Sequence, residues 1–179
     1  DEFEIIAELN QPAKPSVLKC IIKLTGETVV LKRLLNPFAT SDMADTRPLR
    51  RRGRKVAHLM SRTNHPNVLS LTAVLIDSET TPLEYRYYLQ LPWCDGGSIA
   101  EWMKQSHTID EQRQCAVDIL NGFDYLHRNG IVHGDLSSGN IMFHQGRAVI
   151  VDFDESVDVQ FNKLSTTTTS TCFTPTTLP

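Results

Sequence analysis

No stretch of this sequence approaches the roughly 18 consecutive apolar residues that a membrane span needs, so no contact with a membrane is expected and the chain reads as soluble. Its start does not resemble a signal peptide: Asp1 to Leu9 is acidic and amphipathic, not basic and then apolar. Because the first residue is Asp1 and not Met, the chain reads as a piece cut from something longer. An excess of one charge is missing too. The 18 basic and 21 acidic side chains leave a formal charge of −3, too even a balance for nucleic-acid binding through bulk charge. Cysteine is sparse: Cys20, Cys94, Cys115 and Cys172 form no C-x-x-C pair and have no second ligand cluster nearby. That pattern excludes a disulfide framework and a zinc site, and four free thiols in an intracellular, cytoplasmic setting are expected. What remains is 179 residues, 40% of them hydrophobic, enough for one domain with its own core and showing no internal repeat.

The first third is strand-like at Phe3–Leu9, Val17–Leu24 and Thr28–Leu34, with Thr25-Gly26-Glu27 as a hairpin turn between the last two. Leu49, Arg52, Val56, Leu59 and Met60 then recur at helical spacing, predicting one helix that starts near Thr46-Arg47-Pro48 and is weakened by Gly53. Strands are predicted again at Leu69–Ile76 and Tyr85–Leu91, on either side of a polar loop at Asp77–Pro82. Beyond Pro92 the texture turns helical. Ser98-Ile-Ala-Glu101 and Thr108-Ile-Asp-Glu111 both match the capping box that satisfies free N–H groups at a helix start. The second helix carries an apolar face of Ala116, Ile119, Leu120, Phe123 and Leu126, and Asn129-Gly130 stops it. Two short strands, Asn140–Phe143 and Ala148–Val151, pair across His144-Gln-Gly-Arg147. After Leu164, ten of fifteen residues are Ser or Thr, too polar to order themselves by burial.

The chemistry concentrates in His133-Gly-Asp-Leu-Ser-Ser-Gly-Asn140 and Asp152-Phe-Asp154. Asp135 and Asn140 lie five residues apart in a loop after a helix, and Asp152 ends the hairpin whose first strand begins at Asn140. A few oxygen ligands that leave room for water and phosphate suit Mg²⁺ better than zinc. Asp135 is then placed to orient or deprotonate a hydroxyl attacking a metal-bound phosphate.

These motifs resemble the H-R-D-L-x-x-x-N and D-F-G signatures of the eukaryotic protein kinase family. Val29-Val-Leu-Lys32 is similar to that family's V-A-I-K strand, and His65-Pro-Asn-Val68 to its H-P-N-I entry to strand four. Trp93-Cys-Asp-Gly-Gly-Ser98 resembles the hinge and the loop after it, and Tyr125-Leu-His127 with Gly130-Ile-Val132 resembles the long helix running into the catalytic loop. The resemblance implies an α+β, protein-kinase-like two-lobed fold, with an antiparallel β N-lobe carrying one helix and a partial, mainly helical C-lobe. The expected boundaries are 1–90 for the N-lobe, 91–95 for the hinge, 96–164 for the partial C-lobe and 165–179 for a Thr-rich tail or altered activation segment. The cofactors it implies are ATP and Mg²⁺, and the partners a protein substrate or a regulatory protein. Carried over by residue, Asp135 is the catalytic base, Asn140 and Asp152 hold the metal, and Lys32 grips the α- and β-phosphates. Val17, Val30 and Met142 sandwich adenine, Leu91 is the gatekeeper, and backbone groups of Pro92 and Cys94 face the base.

The departures are as specific as the matches. The three glycines of the phosphate-covering G-x-G-x-x-G loop fall on Asn10, Pro12 and Pro15, which predicts poor phosphate binding from above. The helix position that supplies a glutamate to the lysine falls on Val56, and no acidic residue lies between Asp45 and Asp77, so Lys32 is expected to lack a local carboxylate. Gly134, Ser137 and Asp154 replace the family's arginine before the base, the lysine after it and the last glycine of D-F-G. Weak phosphoryl transfer to Ser/Thr hydroxyls is therefore expected, with a pseudokinase, binding nucleotide or acting as a scaffold, as one alternative and a small-molecule phosphotransferase as another. Six basic residues within Arg47–Lys55 suggest either a docking or nuclear-localisation patch or a solvated helix face.

Overall fold

The computed structural model describes residues 2–9, 16–34, 47–77 and 86–159. The glycine-loop positions Asn10, Pro12 and Pro15, most of the Asp77–Pro82 loop, Cys172 and the Thr-rich tail lie outside them. Five strands, β1 (Phe3–Glu8), β2 (Val17–Ile22), β3 (Thr28–Leu34), β4 (Ala73–Asp77) and β5 (Arg86–Pro92), form one sheet in the order β1-β2-β3-β5-β4, every neighbouring pair antiparallel. Because successive side chains alternate across a strand, the sheet carries two apolar faces. Cys20, Val29 and Leu31 make a small cluster with Leu18 and Tyr88 on one face. Leu34, Leu89 and Leu91 face the other way, into the main core.

Helix α1 (Arg47–Ser61) buries Val56, Leu59 and Met60 in that core, as their spacing predicts. The strand expected from Leu69 starts only at Ala73. The Leu69 N–H instead donates to Ile150 O at 2.9 Å, and Val68 bridges Ile150, so the residues after His65-Pro-Asn67 dock on the second half of the chain and not on the sheet edge.

That second half contains α2 (Ile99–Trp102), α3 (Ile109–Arg128), the β7–β8 hairpin (Ile141–His144 and Arg147–Ile150) and a two-residue pairing of β6 (Ile131–Val132) with β9 (Val157–Asp158) that the sequence did not suggest. Both capping boxes form, with Ser98 and Thr108 each accepting from the backbone of the glutamate three residues on. The predicted apolar face of α3 is met in part. Leu126 is buried and Ile119 and Phe123 pack partly buried against the core, but Ala116 and Leu120 are exposed, and Cys115, Asp118 and Gly122 take the rest of the buried side. The reason is polar and steric. Asp118 Oδ2 accepts the Ala148 N–H at 3.1 Å, and a Cβ at Gly122 would lie 2.7 Å from Asn67 O and 2.8 Å from Ile150 Cδ1. A helix pinned this closely to β8 shows it a glycine and a carboxylate, residues that an apolar periodicity cannot count. One continuous core then joins α1 and β5 to Leu126, Val149, Ile150 and Phe153. Among the described residues no helix is long and apolar enough to cross a membrane.

Candidate active site

Lys32 sits on β3, where it pairs in register with Val17 on β2 and Leu89 on β5. Its Nζ donates to Asp152 Oδ1 and to Asp154 Oδ1, both at 2.7 Å, linking the sheet to the loop after β8. The carboxylates that reach Lys32 are thus distant in the sequence and not local. No acid comes from α1, where Val56 is buried in the core, but the D-F-D loop supplies two. Burial acts to lower the Lys32 amine; the charge of Asp154, and next that of Asp152, outweighs it and holds the amine above its ordinary value. Burial likewise acts to raise the Asp152 carboxyl, and the charge and hydrogen bond of Lys32 bring it below the usual carboxylate range.

The loop between β6 and β7 is organised by its own polar groups. Asn140 Nδ2 donates to the Asp135 backbone carbonyl at 2.8 Å and to Asp135 Oδ2 at 3.0 Å, fixing the Asp135 carboxylate on the amide side of Asn140. Buried His133 bonds through Nε2 to Val151 O at 2.9 Å, and Ser156 Oγ donates to His133 O at 2.9 Å. The His133 ring also meets Phe153 edge-on, with centroids 5.2 Å apart. These contacts tie the segment holding Asp135 to the one holding Asp152. Gly134, with φ 82°, allows the two backbones to meet, since a Cβ there would lie 2.6 Å from Glu155 O. Asp152 itself takes φ 61°, a left-handed conformation uncommon outside glycine and often found at functional sites.

The candidate charged residues therefore come together as two groups: Asp135 with Asn140, and Lys32 with Asp152 and Asp154. The apolar candidates follow the sheet register. Val17 pairs with Lys32, and Val30 with Leu91, so all four lie on one face. Pro92 pairs with Val29 at the end of β5, and Cys94 is buried beyond it. Met142 lies on β7 and is partly buried against the main core, as Val30 is. The hinge is fastened to the hairpin below it: His144 Nδ1 bonds Trp93 O at 3.0 Å, and the Gly96 N–H donates to Phe143 O at 3.1 Å. Lys19 Nζ lies 4.0 Å from the centroid of the Trp93 ring. A cleft of about 410 Å³ includes Pro92, but Lys32, Asp135, Asn140 and Asp152 do not line it; His65, His144 and Arg147 do.

Two contributors were not legible as such in the sequence. His133 stood in the motif without a role, and nothing in the local pattern says that its ring will be a buried strut. Asp154 shows in the sequence only as a replacement of the last glycine of D-F-G, because its partner lies 122 residues away in the chain.

Comparison with known proteins agrees with this arrangement. The family model described as "Protein kinase domain" matches residues 3–177. A probable serine/threonine-protein kinase PknB of Bifidobacterium longum is 29% identical over 134 residues, covering 72% of this chain and 19% of that protein. The sperm motility kinase Tcr mutant form of Mus musculus is 35% identical over 161 residues, covering 85% of this chain and 29% of the other. Mitogen-activated protein kinase 12 of Danio rerio is 26% identical over 146 residues, covering 81% and 38%. The chain thus spans between about a fifth and two fifths of the length of these curated relatives. With its antiparallel sheet, its hinge and its H-G-D and D-F-D loops in the family's order, the chain belongs to the protein kinase family.

Proposed function

We propose that this chain is the nucleotide-binding part of a protein kinase that uses ATP and Mg²⁺ to phosphorylate Ser or Thr hydroxyls on a protein substrate. The observation that carries the reading is the 2.7 Å contact of Lys32 Nζ with Asp152 Oδ1, which brings a strand lysine and a metal-type carboxylate to one point across 120 residues of chain. The donor chemistry fits Mg²⁺. Asp152 offers a carboxylate whose side chain is 42% exposed, and Asn140, with its Nδ2 committed to Asp135, retains its amide oxygen for a cation. Among the described residues no group of three or more His, Cys, Asp or Glu forms a metal cage. A cation held here would complete its shell with phosphate and water oxygens, as Mg²⁺ does. When bound, it would neutralise charge on the phosphates. The chain's own residues then divide the work: Lys32 supplies a fixed ammonium to the α- and β-phosphates, and Asp135, steadied by Asn140, accepts the proton of the acceptor hydroxyl. Val17, Val30, Leu91 and Met142 supply the apolar walls for adenine, with the Pro92 carbonyl and backbone groups of Cys94 at its edge. The Ser/Thr preference is taken from the Bifidobacterium longum relative, a probable serine/threonine-protein kinase.

A second reading, a pseudokinase that binds nucleotide or a regulatory protein without turnover, is favoured by Ser137, which leaves no lysine beside Asp135 to neutralise the transferring phosphoryl group. A thermal-shift titration with ATP, with and without Mg²⁺, tests the nucleotide site. Stabilisation that requires Mg²⁺ and disappears in Asp152→Asn supports it, and no shift at any ATP concentration sinks it. Autophosphorylation followed by mass spectrometry separates the two readings: phosphate incorporation that is lost in Asp135→Asn supports turnover, and ATP binding without incorporation leaves the pseudokinase.

A further inference from the structure

The Lys32 side chain is only 16% exposed, and an ammonium withdrawn from water needs fixed negative charge beside it. Among the described residues its ion-pair partners are Asp152 and Asp154. Both come from one short loop, and the residue between them, Phe153, is 1% exposed and anchored in the core. The flanking carboxylates are therefore presented to Lys32 from a fixed pivot. Two carboxylates on one ammonium are one more than charge balance requires. The proposed function commits Asp152 to a cation, and in that state a lysine with no other partner would lose its counter-ion and its aim. Helix α1 offers no replacement, because Val56 is buried among apolar side chains.

We propose that Asp154 is the positioning residue for Lys32, holding the ammonium in place on the sheet while Asp152 is drawn to the cation. The inference rests on the nucleotide-binding reading above and assigns a use to the residue that replaces the last glycine of D-F-G. It also opposes the simpler view of Asp154, in which a carboxylate near the triphosphate merely repels it.

The two views differ in sign. Isothermal titration of ATP and of adenosine into wild type, Asp154→Asn, Asp154→Glu and Lys32→Met measures the difference. If Asp154 positions Lys32, Asp154→Asn weakens ATP binding by about tenfold, the scale of one charge-assisted contact, and leaves adenosine binding unchanged. The loss is larger with Mg²⁺ than with EDTA, Asp154→Glu recovers most of it, and Lys32→Met with Asp154→Asn binds ATP no more weakly than Lys32→Met alone. Unchanged or tighter ATP binding in Asp154→Asn overturns the proposal. A second measurement does not depend on nucleotide: urea midpoints of the two single variants and the double variant, without ligand, should be non-additive. If wild type does not prefer ATP to adenosine, the proposed function fails while the pairing is judged by this cycle, and additive midpoints overturn the pairing itself.

Discussion

Alanine at position 134 should cost the chain a large part of its stability, for two reasons that can be measured apart. The backbone at Gly134 has φ 82°, where an L-residue is disfavoured by about 1–2 kcal/mol. A Cβ would also sit 2.6 Å from the Glu155 carbonyl oxygen and 3.1 Å from its carbon. Those are backbone atoms that no rotamer change can move, and overpacking of this kind costs about 1–3 kcal/mol. Together the terms reach about 2–5 kcal/mol, against the roughly 5–15 kcal/mol of a typical domain. Gly146, in the β7–β8 turn, isolates the first term, because its φ is 75° but nothing lies within 4 Å of a Cβ there. Urea unfolding followed by circular dichroism should therefore place Gly146→Ala about 1–2 kcal/mol below wild type, and Gly134→Ala lower again by the steric term. If the two variants agree within about 0.5 kcal/mol, Glu155 does not press on this loop and the steric account is refuted. The same geometry bears on the family pattern. An arginine at this position has the same Cβ, so Gly134→Arg is expected to displace Glu155 before it can engage any phosphate.

Burial first, and then the Asp95 charge, push the Cys94 thiol up to about 11, so iodoacetamide at about pH 8 should leave it unmodified until the protein unfolds; rapid alkylation of the native protein at Cys94 would contradict its placement behind the hinge. The Thr108 backbone N–H first, and then its hydroxyl, hold the Glu111 carboxyl below the usual range, and Ser98 does the same for Glu101. A carboxyl depressed in the folded state stabilises it above the unfolded value, about pH 4.3 for Glu, and that contribution is lost as pH falls through the lower folded value. Amide resonances of Ser98 and Thr108 in an NMR titration should report midpoints below that of a free glutamate, and midpoints at or above it would mean that the boxes are open in solution.

The parts of the fold legible in advance were those where one physical signal dominates. The capping boxes were read from residues three apart, and they form as read. Of the predicted α1 stripe, Val56, Leu59 and Met60 are buried, and the side chains of Leu49 and Arg52 lie outside the described residues. Where signals conflict, sequence pattern and structure part. Apolar periodicity gives α3 a face of Ala116, Ile119, Leu120, Phe123 and Leu126; the last and, in part, Ile119 and Phe123 pack inward, but Ala116 and Leu120 are exposed because Asp118 satisfies the Ala148 N–H and Gly122 permits contact with Asn67 on the buried side. Leu69 has the composition of a strand, yet its N–H is taken by Ile150. Val56 correctly indicates that α1 brings no acid to Lys32, and the acids that do reach it, Asp152 and Asp154, could not be read from the sequence because ion pairing does not respect sequence distance.

The sequence by itself determined the family, the order of the elements and the residues on which phosphotransfer chemistry would rest, because a motif is a local spacing and spacing is written in the chain. Only the tertiary structure decided how those residues meet. Lys32 and Asp154 stand 122 positions apart, and no local pattern relates them until β3 and the loop after β8 share a core through Phe153. Electrostatic partnership depends on distance in space and on removal from water, and both are products of packing.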